Sequence, residues 1–341
     1  MQRNFILTDI MKTGHHTHIE GFIDMNSLKD QHFETTGEYY MLHNYDIDSY
    51  DRRFAIIDVR HWNSIFKNNT EFMKELKRRC DLLHSQGFVF IKANPWESLE
   101  NVNAVPQYPE IDVEHFKWTG GISWFWYYMY KKHKDKKFNF NHSNKEYDFL
   151  YLNKQLRPHR EKLYEKLKTQ GILDNSLYTK WPDKKLPAEY ELPWAQNYPR
   201  SGKDQDIYEL PYNDTACSIV SESNDNDYEV FMTEKIWKPI IAKQVFVVHG
   251  NYLYLQRLRD MGFKTFNSYF EEAYDLDKDP DTRIDTIVDV CDRLREAPWQ
   301  DIYLHTKALR KHNHDTFFNK EKLSLEIDKT LNLFLEFADS R

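Results

Sequence analysis

The amino-acid sequence predicts an α/β protein made of two α/β halves followed by C-terminal helices. Short apolar runs alternate with stretches of helical apolar spacing in the first half, and the same alternation returns after residue 147. The strongest charge run, residues 131–137 (KKHKDKK), separates the two series and is typical of a solvated linker. Given 341 residues, we expect domains over residues 1–145 and 146–300, with helices over 301–341 packing across them.

Three apolar runs and one helical stretch define the predicted first half. The runs are residues 39–42, 54–59 and 88–91, and the helical stretch lies within residues 68–84. Strand, helix and strand in succession indicate a parallel α/β layer. The apolar stretch ISWFWYYMY at residues 122–130 predicts a buried helix or strand before the linker.

The second half repeats the alternation. A strand at residues 147–152 precedes a helix at 158–169, where Pro158 suits the first turn because its missing N–H would have no partner there. The other predicted elements are a Pro-rich surface loop at 182–211, strands at 216–221, 244–249 and 262–266, helices at 233–242 and 253–261, and amphipathic helices at 284–295 and within 301–337.

Composition argues against several classes of protein. Three widely spaced cysteines, Cys80, Cys217 and Cys291, support neither a disulfide framework nor a cysteine-based zinc site. The chain has no run of about 18 apolar residues and no apolar signal-peptide core, so we expect no membrane insertion and a reducing, cytoplasmic setting. A net charge of −7 lacks the overall basic field of a nucleic-acid binder, although a local patch can suffice. Nothing in the sequence indicates an oligomeric state.

The most informative stretch is residues 218–250. Glu222 follows a predicted strand, and Thr233-Glu234-Lys235 begins the next helix. Ligands of open α/β sheets bind beyond the carboxyl ends of strands, and a helix N-terminus attracts a diphosphate. A lysine there adds a full charge, and a glutamate accepts hydrogen bonds from ribose hydroxyls. Alternatively, Thr233 is a plain N-cap and Glu234 is favoured by the helix dipole.

A second candidate segment is LNKQLRPHR, which follows the strand at 147–152. Arg157 and Arg160 are suited to bind a diphosphate bidentately, and Asn153 to orient a base or ribose. The alternative is a basic helix start whose arginines pair with Glu161 or Glu165.

These segments, in this order, resemble the donor-binding part of GT-B glycosyltransferases of the fucosyltransferase type. In that family an acidic residue precedes Thr-Glu-Lys, followed by a helix and an apolar strand ending near glycine; here these are Glu222, TEK and VFVVHG. The resemblance is closer still to uncharacterised, often phage-encoded glycosyltransferase-like proteins, whose Lys-Pro and GFKTF-like segments match Lys238-Pro239 and residues 262–266. It covers roughly residues 147–290.

The resemblance implies a GT-B fold, with two Rossmann-like α/β domains facing a cleft, and a nucleotide-sugar donor bound by the second domain. By that resemblance Arg157 and Lys235 contact the phosphates. The implied donor-binding set is Asn153, Arg157, Arg160, Glu222, Thr233, Glu234 and Lys235. The expected reaction is sugar transfer to an acceptor hydroxyl; inversion is favoured, and retention stays open.

Two D-x-D sequences, Asp225-Asn226-Asp227 and Asp275-Leu276-Asp277, raise the question of a metal. The pattern is expected by chance among 54 acidic residues, and neither copy follows an apolar strand in the first half. We interpret both as loop acids and expect no essential metal and no cofactor.

The general base of an inverting transfer must remove the acceptor proton. The candidates are His18 and Glu20, within GHHTHIE at residues 14–20, and Asp58 at the end of a predicted strand. The histidine cluster is otherwise an ordinary loop or a metal site, although His15, His16 and His18 lack i,i+4 spacing.

Two acceptor classes stay open. The acidic balance and the 16% aromatic content favour a glycan or lipid-linked sugar. The resemblance to phage-encoded proteins favours a hydroxymethylated pyrimidine in DNA, such as 5-hydroxymethylcytosine, and we lean towards this acceptor. A flipped base would then contact Trp124, Trp126 and Tyr127, and phosphates would contact Lys131 and Lys132. A third reading, of a different class, is a nucleotide-sugar-binding module without turnover.

Overall fold

The computed structural model describes the chain in segments: residues 3–9, 31–36, 45–58, 70–93, 97–98, 113–116, 121–143, 145–153, 157–180, 183–187, 190, 205–227 and 229–340. The chain divides into two compact units. The first unit contains the described residues up to Tyr127 together with those from Glu321 onward, and the second is Tyr128–Lys320. The strand predicted at 39–42 lies outside the described residues.

The first unit contains a five-stranded parallel sheet in the order β2-β1-β3-β4-β6. Its strands are β1 (Arg3–Asp9), β2 (Gln31–Thr36), β3 (Arg52–Asp58), β4 (Val89–Ala93) and β6 (Val113–Phe116), with a two-residue strand β5 (Glu97–Ser98) between the last two. Helix α1 (Thr70–Ser85) connects β3 to β4, and α2 (Gly121–His133) follows β6. The predicted strand-helix-strand succession of this half is confirmed, and residues 122–130 form a helix.

Apolar side chains of distant segments form the core of the first unit. Helix α1 buries Leu76, Cys80 and Leu83, which recur at helical spacing. The Phe54 ring of β3 meets the Phe334 ring of the C-terminal helix edge to face, with 5.2 Å between centroids. Edge-to-face packing suits the ring quadrupoles and adds to the area that both rings bury.

The second unit contains a five-stranded sheet in the order β12-β10-β7-β8-β9. The strands are β7 (Tyr147–Asn153), β8 (Ser176–Lys180), β9 (Asp183–Lys185), β10 (Thr215–Ser221) and β12 (Val245–His249); β11 (Glu229–Val230) has two residues. Only β9 of this sheet runs antiparallel to its neighbour. Every residue of β10 and β12 is buried. This is expected of central strands in a parallel sheet whose two faces are both covered.

Except for α4, which was not predicted, the helices of the second half lie at or near their predicted positions. They are α3 (Pro158–Thr169), α4 (Glu209–Asp214), α5 (Glu234–Ile241), α6 (Tyr254–Asp260), α7 (Pro280–Arg295), α8 (Trp299–His305), α9 (Lys307–Phe317) and α10 (Lys320–Asp339). The predicted α/β class, with a parallel sheet in each half, is thereby confirmed. Among the described residues, no helix combines the length and apolar character needed to cross a membrane.

Two predicted segments differ from the structure. Residues 262–266 are not a strand, because side chains rather than a neighbouring strand satisfy their backbone: Lys264 N donates to Asn313 Oδ1, and Phe266 N to Glu272 Oε1. The predicted loop at 182–211 includes β9 and α4.

A half-buried histidine, His142, lies among cations at the amino edge of the second sheet. The His142 ring stacks on Tyr303 with 5.5 Å between centroids, and neither of its ring nitrogens has a hydrogen-bond partner among the described residues. Burial, together with the neighbouring charges of Lys145, Arg310 and Lys243, lowers the pKa of His142 from 6.5 to about 3. His142 is therefore neutral in the folded protein at neutral pH.

We predict that His142→Phe reduces the acid sensitivity of the fold. Below pH 6.5 the unfolded chain binds a proton at His142 that the folded chain does not, so stability is lost as pH falls from 6.5 towards 3. Phenylalanine keeps the stack on Tyr303 and removes this proton. The drop in melting temperature between pH 8 and pH 5 should shrink by a few degrees relative to wild type; an unchanged drop would contradict the prediction.

Candidate functional site

The strand order places a topological switch point in the second sheet. The chain passes from β7 to β8 on one side, then returns to β10 on the other side of β7 and continues to β12. Because β7, β10 and β12 are parallel, their last residues, Asn153, Ser221 and His249, lie at one edge of the sheet. Ligands of open α/β sheets bind at such an edge, in the crevice beside the switch point.

Helix α3 begins at this edge with an arginine that has no partner. Arg157 is the N-cap residue in extended conformation, and Pro158 occupies the first turn. The Arg157 side chain is half-buried and, among the described residues, makes no hydrogen bond or ion pair. Burial lowers the pKa of Arg157 below its ordinary value. A half-buried guanidinium without an acceptor is a ready partner for an anion.

Helix α5 begins at the same edge with Thr233, Glu234 and Lys235. Thr233 is the N-cap, and its hydroxyl oxygen accepts from Lys235 N at 3.5 Å and from Lys235 Nζ at 2.8 Å. The capping role considered for Thr233 is therefore present. The Lys235 ammonium also lies 3.2 Å from the Glu234 carboxylate and 3.6 Å from that of Glu222.

The Glu234 carboxylate remains ionised although it lies largely out of solvent. Burial would raise the pKa of Glu234, but the charges of Lys235 and Lys238 and a backbone hydrogen bond outweigh it, so the pKa lies below its ordinary value. An ionised carboxylate beside a helix N-terminus is a strong acceptor for hydroxyl donors such as those of a ribose.

The Glu222 carboxylate is completely buried and fully occupied. Its Oε1 accepts from Thr233 N at 3.0 Å and from the Tyr254 hydroxyl at 2.8 Å, and its Oε2 accepts from the Thr233 hydroxyl at 2.6 Å. Because the carboxylate is completely buried behind these donors, a ribose hydroxyl at the surface does not reach it. The structure therefore places Glu222 beneath the edge, as a support of helix α5, rather than in contact with a donor as the sequence predicts.

Arg160 is likewise used internally. Its Nε and Nη2 donate to the Glu222 carbonyl oxygen at 3.0 and 2.8 Å, and the residue is 6% exposed. The predicted bidentate contact of this arginine with a diphosphate conflicts with that bonding, so Arg157 remains as the arginine available at the edge. Glu161 and Glu165, the acids considered as alternative partners, both form ion pairs with Lys180.

Asn153 carries an unsatisfied amide at the end of β7. The residue is 5% exposed, and neither the oxygen nor the nitrogen of its side chain has a hydrogen-bond partner among the described residues. Leaving such a group unpaired costs about 1–3 kcal/mol. A bound group with both a donor and an acceptor would recover that loss, which suits the role predicted for Asn153.

Three further residues at this edge, His159, Asp225 and His249, were not predicted as site residues. His159 Nδ1 lies 3.7 Å from Asp225 Oδ1, and His249 Nε2 lies 3.8 Å from Asp225 Oδ2. Burial lowers the pKa of both histidines. His249 ends a predicted strand and His159 lies in the first turn of a predicted helix, and those positions at the carboxyl edge were the available signal. Asp225 belongs to a D-x-D that the sequence assigned to a loop.

The second D-x-D has a structural role. Asp275 is 2% exposed in a 3-10 turn, and its carboxylate accepts from Leu255 N and Gln256 N at the start of helix α6. It is therefore a buried helix cap and not the loop acid that the sequence predicts. In the described part of the chain, no group of three His, Cys, Asp or Glu residues is arranged to hold a metal ion.

The remaining predicted site residues belong to other segments of the chain, and several of them or their side chains are not described. His18 and Glu20 are outside the described residues. Asp58 ends β3, and neither its side chain nor that of Trp124 in α2 is described.

The predicted acceptor residues in α2 have mixed surroundings. Trp126 is 0% exposed, so the ring has no free face for a base, and this corrects its predicted role. Tyr127 is half-buried and Lys131 is exposed. Lys132 forms an ion pair with Asp206 at 2.9 Å, which reduces the local positive charge.

A comparison with solved structures finds a similar fold. The crystal structure of an α1,3-fucosyltransferase with GDP-fucose matches with a TM-score of 0.42 and 10% sequence identity, over 98% of this chain and 90% of that chain. No protein-family model and no curated protein matches the chain. A match at this identity and TM-score says nothing about the chemistry of the edge, which depends on the residues of this chain.

A buried arginine holds the loops of the edge in place. Arg283 of α7 is 1% exposed, and its guanidinium donates to the carbonyl oxygens of Asp225 at 2.6 Å, Gly250 at 3.0 Å and Asp277 at 2.7 Å. It thereby joins the loop after β10, the end of β12 and the turn before α7.

We predict that Arg283→Met costs about 3 kcal/mol of unfolding free energy, because several buried carbonyl oxygens lose a charged donor. Arg293→Met is the matched control on the same helix; its side chain is 62% exposed and pairs only at the surface with Glu271. The control should change stability by less than about 0.5 kcal/mol. Urea titrations measure both, and equal losses would contradict the prediction.

Proposed function

We propose that this chain is a glycosyltransferase that binds a nucleotide-sugar donor at the carboxyl edge of its second sheet. One observation carries the proposal. Arg157, half-buried and without a partner among the described residues, and the ammonium of Lys235 lie at the N-termini of two helices that follow neighbouring parallel strands, β7 and β10. This is an arrangement suited to an extended, doubly charged anion such as a diphosphate.

The proposed roles follow from the charge of each group. Arg157 and Lys235 neutralise the diphosphate and stabilise the charge that develops on it as the sugar leaves, which makes a metal ion unnecessary in this scheme. The Glu234 carboxylate accepts hydrogen bonds from the ribose, and the unsatisfied Asn153 amide orients the nucleoside. We propose inversion at the sugar carbon, with the base among His18, Glu20 and Asp58.

A screen by thermal shift tests the donor site. We expect one class among UDP-, GDP-, CMP- and dTDP-sugars to raise the melting temperature, since a ligand at about 100 times Kd stabilises the native state by about 2.7 kcal/mol. Arg157→Ala and Lys235→Ala should each weaken binding about tenfold or more, because each removes a charge-assisted contact.

The control for this screen is Lys162→Ala. Lys162 lies on the same helix as Arg157 but pairs with Asp281 of α7, so its loss removes one positive charge without touching the edge. Its binding should equal that of wild type. If no nucleotide-sugar stabilises wild type, or if all three variants weaken binding equally, the donor site is not where we propose it.

A non-catalytic binding module is the alternative of another class. Arg157, which has no partner among the described residues, favours anion binding in an enzyme and in a binding module alike. Only a measurement of turnover distinguishes the two. Many transferases hydrolyse their donor slowly when no acceptor is present, and a module that only binds should release no free sugar.

For the acceptor we propose a hydroxyl group, with hydroxymethylated pyrimidine in DNA as the specific candidate and a glycan or lipid-linked sugar as the other. The burial of Trp126 and the pairing of Lys132 reduce the support for DNA that came from those two residues.

We predict sugar transfer to duplex DNA containing 5-hydroxymethylcytosine, with binding that weakens steeply as salt rises. Mass spectrometry of digested DNA measures the product, and unmodified cytosine DNA is the control. Transfer to free oligosaccharides that does not depend on salt, without any product on DNA, would establish the glycan class instead.

A further inference from the structure

Tyr254 of helix α6 contacts Glu222, the buried residue beneath the candidate donor site, although Tyr254 is not proposed to bind the donor. Its side chain is 1% exposed, and its hydroxyl donates to Glu222 Oε1 at 2.8 Å. The same carboxylate receives the backbone N–H and the hydroxyl of Thr233. Glu222 thus links helix α6 to the first turn of helix α5.

The Thr233 hydroxyl connects the Glu222 carboxylate to the Lys235 ammonium. A hydroxyl has one proton and two lone pairs. Its proton goes to Glu222 Oε2, so its lone pairs are left to accept from Lys235 Nζ at 2.8 Å. The ammonium also lies 3.6 Å from Glu222 Oε2. The direction of the ammonium therefore depends on where the Glu222 carboxylate is held.

Gly250 leaves the space that Tyr254 needs. A Cβ atom at position 250 would lie 2.6 Å from Tyr254 Cδ2, which is closer than real Cβ contacts. Since the ring is fully buried, it has no room to retreat. The glycine at the end of β12 thus sets the position of the ring, and through its hydroxyl the position of the carboxylate.

We infer that Tyr254 is a positioning residue of the donor site, acting through Glu222 and Thr233 to aim the Lys235 ammonium at the donor diphosphate. This inference rests on the proposed function, because it gives Lys235 a phosphate to bind. Tyr254 itself touches no substrate in this scheme. Its contribution exists only while Lys235 is present.

A double-mutant cycle tests this dependence. The affinity for the stabilising nucleotide-sugar is measured by calorimetry for wild type, Tyr254→Phe, Lys235→Ala and the double variant. Tyr254→Phe keeps the ring against Gly250 and removes only the hydroxyl. We expect it to weaken binding about threefold to tenfold in the wild-type background and to change nothing in the Lys235→Ala background.

Tyr303→Phe is the matched control. Tyr303 is also buried in the second unit, and its hydroxyl donates at 2.6 Å to the carbonyl oxygen of Ala216, near the opposite end of β10. This variant loses a buried hydroxyl in the same way, so it should lower the melting temperature without changing donor affinity. Weakening by Tyr303→Phe equal to that by Tyr254→Phe would mean that only stability is involved and would overturn the inference.

The other outcomes separate the inference from the proposed function. If wild type binds no nucleotide-sugar, the proposed function fails and the positioning role with it. If wild type binds but Tyr254→Phe binds equally well, or weakens binding equally in both backgrounds, only the positioning role fails. Should Tyr254→Phe not fold, Thr233→Val replaces it: loss of affinity there, with recovery in Thr233→Ser, supports the relay, and equal affinity of both overturns it.

Discussion

Glu222 joins four elements of the second unit at one point, directly after strand β10. Its backbone N–H donates to His249 O of β12, and its carbonyl oxygen accepts from Arg160 and His159 of α3. Its carboxylate accepts from the start of α5 and from Tyr254 of α6. A buried carboxylate is tolerated only when its acceptor positions are filled, so each of these donors has to be present and correctly placed. The arrangement of the whole carboxyl edge follows from satisfying this one residue.

The charge that remains at the edge is a consequence of the same bonding. Arg160 and Arg283 donate hydrogen bonds to backbone carbonyl oxygens, whereas Arg157 has no partner among the described residues. Near Lys235 the carboxylate of Glu222 is already occupied by neutral donors. The edge therefore presents one guanidinium that is unpaired among the described residues and one ammonium that contacts a hydroxyl and two carboxylates. Such an arrangement suits the proposed anion, because no strong bidentate ion pair has to break first.

Most helices and strands of the second unit were predicted correctly because residues close together in the sequence mark their positions. Pro158 and Thr233 mark helix starts by the chemistry of the first turn, and VFVVH is apolar on both sides because both faces of a covered parallel strand are buried. The strand β2, QHFETT, lacks an apolar run, so its residues carry no strand signal. Residues 262–266 have such a run but no neighbouring strand, because Asn313 and Glu272 bind their backbone instead. Pairing of this kind joins residues far apart in the chain and is invisible to a window of sequence.

Short-range sequence patterns suffice to predict the alternation of strands and helices, the helix starts at the carboxyl edge and the charged residues near them. These features depend on residues a few positions apart, and the chain carries them wherever it folds. Which charges are available depends on long-range packing: Glu222 and Arg160 are buried, and among the described residues Arg157 has no partner and the buried amide of Asn153 is unsatisfied. The physical reason is that burial and hydrogen bonding are set by partners such as Tyr254 and Arg283, which lie 32 and 58 positions along the chain from the groups they bind.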